Sequence, residues 1–266
     1  MDLHRVMASC LTFAVAVTAA IAQQPSPPPQ DPALADQLDQ LEKMVKHTKM
    51  DEDFRAIGLI QSLAKVEQRH PKDVEKLAKA LGEVFRTGKP RTGDKEVLYR
   101  ETAEALAKLG EDGAKELAKA FGSPRLKDAI ELQGHLLRAI GRTEDPKQVE
   151  LLLETTLRAH QDELRAAAGE ALGNYTKLEL SKRREVVKGI IREWGGLHAQ
   201  ATTPDPTDPS KPIPVQPQNA RRTLRIVEGK WVATLGKLTG TSNREFREWQ
   251  QWLNKNPNWT PPEPPK

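Results

Sequence analysis

The sequence predicts an all-α fold, a right-handed α-solenoid built from stacked helix pairs. Three observations lead there. In residues 162–175, Leu164, Ala168, Ala171, Leu172 and Tyr175 recur at i, i+4, i+7, i+8 and i+11, which is one apolar face of an α-helix. Much of that face is Ala, small enough to let a neighbouring helix come close. The pattern then returns along the chain, with Leu63, Leu106, Leu137, Leu172 and Leu235 as equivalent anchors. The first three intervals, 43, 31 and 35 residues, scatter around a period of about 30–45 with two helices in each, the signature of an α-solenoid, and the last, 63, contains a long Pro-rich insert. Finally, His70-Pro71, Gly122-Ser123-Pro124 and Asp145-Pro146 fall between the periodic stretches, as helix stops and starts do.

From the amino terminus, residues 1–22 read as a secretory signal peptide. His4 and Arg5 make a weakly basic start, Leu11–Ile21 is apolar, and Ala20-Ile21-Ala22 offers small residues to a signal peptidase before Gln23. An uncleaved anchor is the competing reading, but a spanning helix needs about 20 apolar residues and this run is shorter. The expectation is export to the periplasm or the extracellular space, with no stable transmembrane segment after cleavage. Cys10, the sole cysteine, would be lost with the signal, leaving no disulfide. Residues 23–35 form a Pro-rich, extended spacer.

The helical array is expected over 36–198. Leu34, Leu38, Leu41 and Val45 mark a capping helix that covers the open end of the array. Four pairs follow: 53–68 with 72–86, 95–109 with 112–121, 125–140 with 146–159, and 161–175 with 179–194. Asp94 is placed to cap the second pair. The last helix carries Val186, Val187, Ile190, Ile191 and Trp194 inward and is expected to stop at Gly195-Gly196. Residues 199–219 contain six prolines and read as a non-helical linker or long loop. A C-terminal helical pair follows at 220–256. Leu224, Val227, Trp231, Leu235 and Leu238 line its first helix, and Ser242–Glu245 suggests a capping box for its second. Residues 257–266 are a Pro-rich tail.

Asp162, Leu164-Arg165, the alanine run and Ala171-Leu172-Gly173 resemble the first helix of short bacterial HEAT repeats of the PBS-lyase type. Gln148–Leu153 resembles the second helix of a preceding repeat. The resemblance spans residues 53–197, with Tyr99 standing where the motif has Arg165. It implies the fold and leaves function open, because HEAT arrays serve as scaffolds, adaptors and a few enzymes. Leu238–Gly240, the short aromatic helix and Trp259 are also similar to a C-terminal module of unknown activity that follows HEAT arrays in bacterial envelope proteins.

Catalytic chemistry is not visible. His47, His70, His135, His160 and His198 have no His, Cys or Glu partner at metal-ligand spacing on one helix face. Phosphate-cradling, dinucleotide and hydrolase motifs are missing. Asp205 and Asp208 lack the spacing of an EF-hand loop. No catalytic residue, metal or cofactor is therefore expected. Lys182, Arg183, Arg184, Lys188 and Arg192 form the densest basic cluster, but Glu185 and Glu193 interleave with them and the net charge is only +4. That pattern reads as a solvated helix face, with no nucleic acid as partner.

The expected function is a non-catalytic scaffold or adaptor that binds a protein partner in the cell envelope. Its second helices would line a shallow groove, with Lys79, Lys119, Arg158, Arg184 and Lys188 as contact candidates. The alternative is a carbohydrate- or cell-wall-binding protein acting through Trp249, Trp252 and Trp259, since aromatic faces stack on sugars or anchor peptides, although the same cluster reads more readily as the small core that closes a terminal helix pair. An enzyme, or an enzyme-maturation factor, would instead need a deep pocket with convergent carboxylates.

Overall fold

The computed structural model describes residues 27–65, 68–203 and 215–261. The expected signal peptide, the centre of the 199–219 linker and the end of the tail lie outside them. Among the described residues every regular element is helical, as expected for an all-α chain. The α-helices are α1 (Leu34–Lys46), α2 (Asp53–Ala64), α3 (Pro71–Arg86), α4 (Val97–Ala107), α5 (Gly110–Phe121), α6 (Ile130–Arg142), α7 (Val149–Arg158), α8 (Asp162–Leu172), α9 (Leu180–Ala201), α10 (Val215–Thr239) and α11 (Phe246–Lys255).

Two starts follow the sequence cues. Pro71 opens α3, and the His70 ring Nδ1 accepts from the Lys72 backbone N–H at 3.2 Å. Asp145 accepts from the Lys147 N–H at 3.1 Å, in a short 3-10 turn that leads into α7. Asp94 does not cap α4: it lies inside another 3-10 turn, Gly93–Glu96, and α4 has no side-chain cap.

The packing makes two rows. In one, α2 packs on α4, α4 on α6, α6 on α8 and α8 on α10. The other is interrupted: α3 packs on α5, and separately α7 packs on α9 and α9 on α11, with no comparable α5–α7 contact among the described residues. Cross-contacts join the rows, among them α4 with α5, α7 with α8 and α9 with α10, while α1 packs on α2 and α3. Leu63, Leu106, Leu137, Leu172 and Leu235 are all buried in the shared core. Small residues set the spacing of the first row. A Cβ added at Gly141 of α6 would stand 2.7 Å from the Ala171 Cβ of α8, so the two backbones meet where neither has bulk.

The junction of α8 with α10 makes the C-terminal helices part of the same body. Buried Asp162 accepts from the Arg222 Nε at 3.1 Å and the Thr223 hydroxyl at 2.7 Å. The Thr234 hydroxyl donates to the Gly169 carbonyl at 2.7 Å, beside the enclosed Trp231 ring. The Arg165 guanidinium lies 5.7 Å from the centre of that ring, in cation–π range. Glu170 of α8 accepts from Arg138 of α6 and Lys230 of α10, each at 3.0 Å. Burial pushes its carboxyl up, but those two cations outweigh it and hold it below the usual range.

Three sequence expectations are corrected here. Gly195-Gly196 does not end α9, which runs on to Ala201. A glycine inside a helix costs about 1 kcal/mol, but this one makes room for a ring. A Cβ at Gly195 would come within 2.9 Å of Phe246, which stacks on His198 at 5.2 Å. Residues 199–219 are not wholly non-helical: α9 ends at Ala201 and α10 begins at Val215. Pro217 is tolerated because it falls in the first turn, where backbone N–H groups have no intrahelical partner. The capping box of α11 is formed by Glu245 and Glu248, three residues beyond the expected one at Ser242.

Candidate functional site

The site is built by α7 and α9. Helix α7 turns Val149, Leu152, Thr155 and Thr156 into the core. That leaves Leu153 and Leu157, one turn apart, half-buried along its side. Helix α9 buries Val186, Val187, Ile190, Ile191 and Trp194. Its adjoining face carries Arg184, Lys188 and Arg192 at four-residue spacing, so they line up along the helix. Between the two helices Gly189 has no side chain. A Cβ there would only touch Leu153 and Leu157, at 3.4 and 3.7 Å. The resulting groove has a volume of about 530 Å³, with Ser181, Glu185 and Asn258 completing its lining.

Arg184 closes one end. Its Nε donates to the Trp259 carbonyl at 2.9 Å, and its Nη2 to the carbonyls of Asn258 and Trp259 at 2.6 and 2.7 Å. The guanidinium thus ties the segment after α11 onto α9 without meeting a carboxylate. Lys188 and Arg192 have no carboxylate within ion-pair distance among the described residues. Within the groove lining, Glu185 is the only acidic side chain, so the wall formed by α9 is net positive.

The other expected cations are placed differently. Lys79 on α3 pairs with Glu75 at 2.6 Å, and that hydrogen bond and charge raise its ammonium above its usual value. Lys119 on α5 pairs at 2.6 Å with Glu116, a carboxylate only 3% exposed that Arg86 also meets at 3.1 Å. Lys119 therefore helps neutralise a buried acid. Arg158 ends α7, largely exposed and 3.9 Å from Glu154. Of the five expected cations, only Arg184 and Lys188 come together in the groove. Sequence reading set Arg192 aside as solvated surface and missed Leu153, Leu157 and Gly189. The signal was there: the Leu153/Leu157 pair is apolar surplus on a helix already supplied with an inward stripe.

The tryptophans divide between core and surface. Trp249 is 0% exposed, so it has no face to offer a sugar or a peptide. It packs edge-on against Trp252 at 5.6 Å, and Trp252 lies 5.7 Å from the buried Trp259. These rings are the small core that closes α11 onto α9. Trp252 alone is half-buried and borders an open depression of about 740 Å³ with Thr241, Lys255, Asn256 and Asn258.

Among the described residues, no group of three or more His, Cys, Asp or Glu is placed to hold a metal ion. None of the described helices is long and apolar enough to cross a membrane. Comparisons with known protein families, curated proteins and solved structures return no match.

Proposed function

We propose that this chain is a non-catalytic scaffold or adaptor, a right-handed HEAT-like α-solenoid exported to the cell envelope, whose groove between α7 and α9 receives a protein partner. The observation that carries the reading is the pair of unneutralised cations, Lys188 and Arg192, standing beside the apolar Leu153 and Leu157. A desolvated apolar patch rimmed by charge is how protein interfaces combine affinity with orientation. The two-row packing and the buried anchor leucines support the solenoid, and the Met1–Ala22 pattern supports export. The test is affinity capture from an envelope extract with the full chain and with its Lys188→Glu/Arg192→Glu variant. The variant should keep its helicity and lose the partner. A partner held equally by both would overturn the groove assignment.

One observation favours a second reading, a glycan- or cell-wall-binding protein. The partly open Trp252 ring sits with Asn256 and Asn258, an aromatic face beside amides. Under this reading the chain binds a glycan array and Trp252→Ala abolishes that binding, whereas under the first the array shows none.

A further inference from the structure

We infer that the α7/α9 groove selects an extended acidic segment of the pattern acidic–apolar–acidic, in which two carboxylates flank one Leu- or Met-sized side chain. The inference rests on the scaffold reading above and names the chemistry of the partner. Lys188 and Arg192 are four residues apart on α9, which separates them by about 6 Å along the helix axis. In an extended peptide, side chains two residues apart point the same way and repeat every ~6.6 Å. Two carboxylates in that register would meet the two free cations together. The intervening side chain would point to the opposite wall, where α7 presents Leu153 and Leu157. Gly189 leaves the floor open for it, since an added Cβ would already touch both leucines. Arg184 is engaged by the Trp259 and Asn258 carbonyls, so the ladder offers two free cations and fixes the length of the match.

The same features disfavour a nucleic acid. Phosphate-driven binding needs many cation contacts and gains from aromatic stacking. Among its lining residues the groove has two free cations, the opposing Glu185, and no aromatic side chain. The leucine wall would be left uncovered by a sugar–phosphate chain.

Fluorescence anisotropy tests this with the full chain and short labelled peptides that differ only in their centre, Glu-Leu-Glu against Glu-Ser-Glu. The Leu peptide should bind at least tenfold more tightly. Lys188→Glu/Arg192→Glu should weaken it at least tenfold, and so should Gly189→Leu, which fills the floor while circular dichroism and the melting temperature report an intact fold. Equal binding of the Leu and Ser peptides would overturn the inference, as would displacement by a thymidine oligonucleotide of matched charge, because either would mark a generic polyanion surface. If neither peptide binds while Lys188→Glu/Arg192→Glu still abolishes capture from the extract, the peptide chemistry fails and the scaffold reading stands. If capture also survives that variant, both fail.

Discussion

Gly169→Ala isolates the contact on which the C-terminal half depends. The added Cβ would stand 2.5 Å from the Cδ1 and Nε1 atoms of Trp231, closer than carbon approaches either atom. Trp231 is enclosed and cannot swing away. The Thr234 hydroxyl, bonded to the Gly169 carbonyl, holds α10 against α8 at the same point. Relief therefore requires α8 and α10 to move apart. Overpacking of this kind costs about 1–3 kcal/mol, and the better helix propensity of Ala returns about 1 kcal/mol. With a net loss near the upper end, about 2 kcal/mol, the melting temperature of a chain this size should fall by about 4–8 °C. Gly189→Ala is the matched control. It is also a helical glycine, but its Cβ would meet neighbours at ordinary contact distance, so it should gain up to about 1 kcal/mol. Thermal denaturation followed by circular dichroism reads both. If Gly169→Ala melts at or above the wild-type temperature, α10 is not seated on α8 through Trp231.

Arg91 is buried and bonds Asp53 through two contacts and the Val45 carbonyl through a third. Arg91→Met leaves Asp53 unpaired and should cost about 3–5 kcal/mol, read as a lower urea midpoint; an unchanged midpoint would show that this clamp does not hold α1 and α2. Burial holds the His135 imidazole below its ordinary 6.5 and the Arg142 charge adds to the shift, while Glu104 and a hydrogen bond with the Arg100 backbone oppose it. The unfolded chain then binds a proton more readily, so this residue costs nothing above pH 6.5 and destabilises increasingly as pH falls below it. His135→Gln should flatten stability across that window, and identical slopes in the two proteins would contradict the assignment. Arg184→Gln removes the guanidinium that spans the Asn258 and Trp259 carbonyls. It should speed amide exchange after Lys255 with little change in α2–α6, whereas unaltered exchange there would exclude Arg184 as the tether.

Much of this fold can be read from local sequence because each helix carries its own inward stripe. The five anchor leucines and the paired helices follow from periodicity alone, and Pro71 and Asp145 mark starts through backbone chemistry within two residues. What could not be read depends on partners far along the chain. Helix α9 continues through Gly195 because Phe246 needs the space. Asp162 was legible as a first-turn acid, but its partners Arg222 and Thr223 lie beyond the Pro-rich stretch. The groove was half legible. Arg184 and Lys188 stood out by charge, yet only the fold shows that Arg184 is engaged by two carbonyls while Lys188 and Arg192 meet no carboxylate among the described residues. Residue type left Trp249 open as core or ligand platform, and the fold decides for core by closing Trp252 and Trp259 around it.

Site-specific photocrosslinking in the cells that produce the chain tests the central claim most directly. A photoreactive residue is placed at position 181, where Ser181 lines the groove without contributing a cation, or, as a control, at position 55, where the Arg55 side chain is 76% exposed on α2 in the other row. The account predicts a discrete protein adduct from position 181 and none from position 55. Adducts of equal yield from both positions, or from position 55 alone, would contradict it.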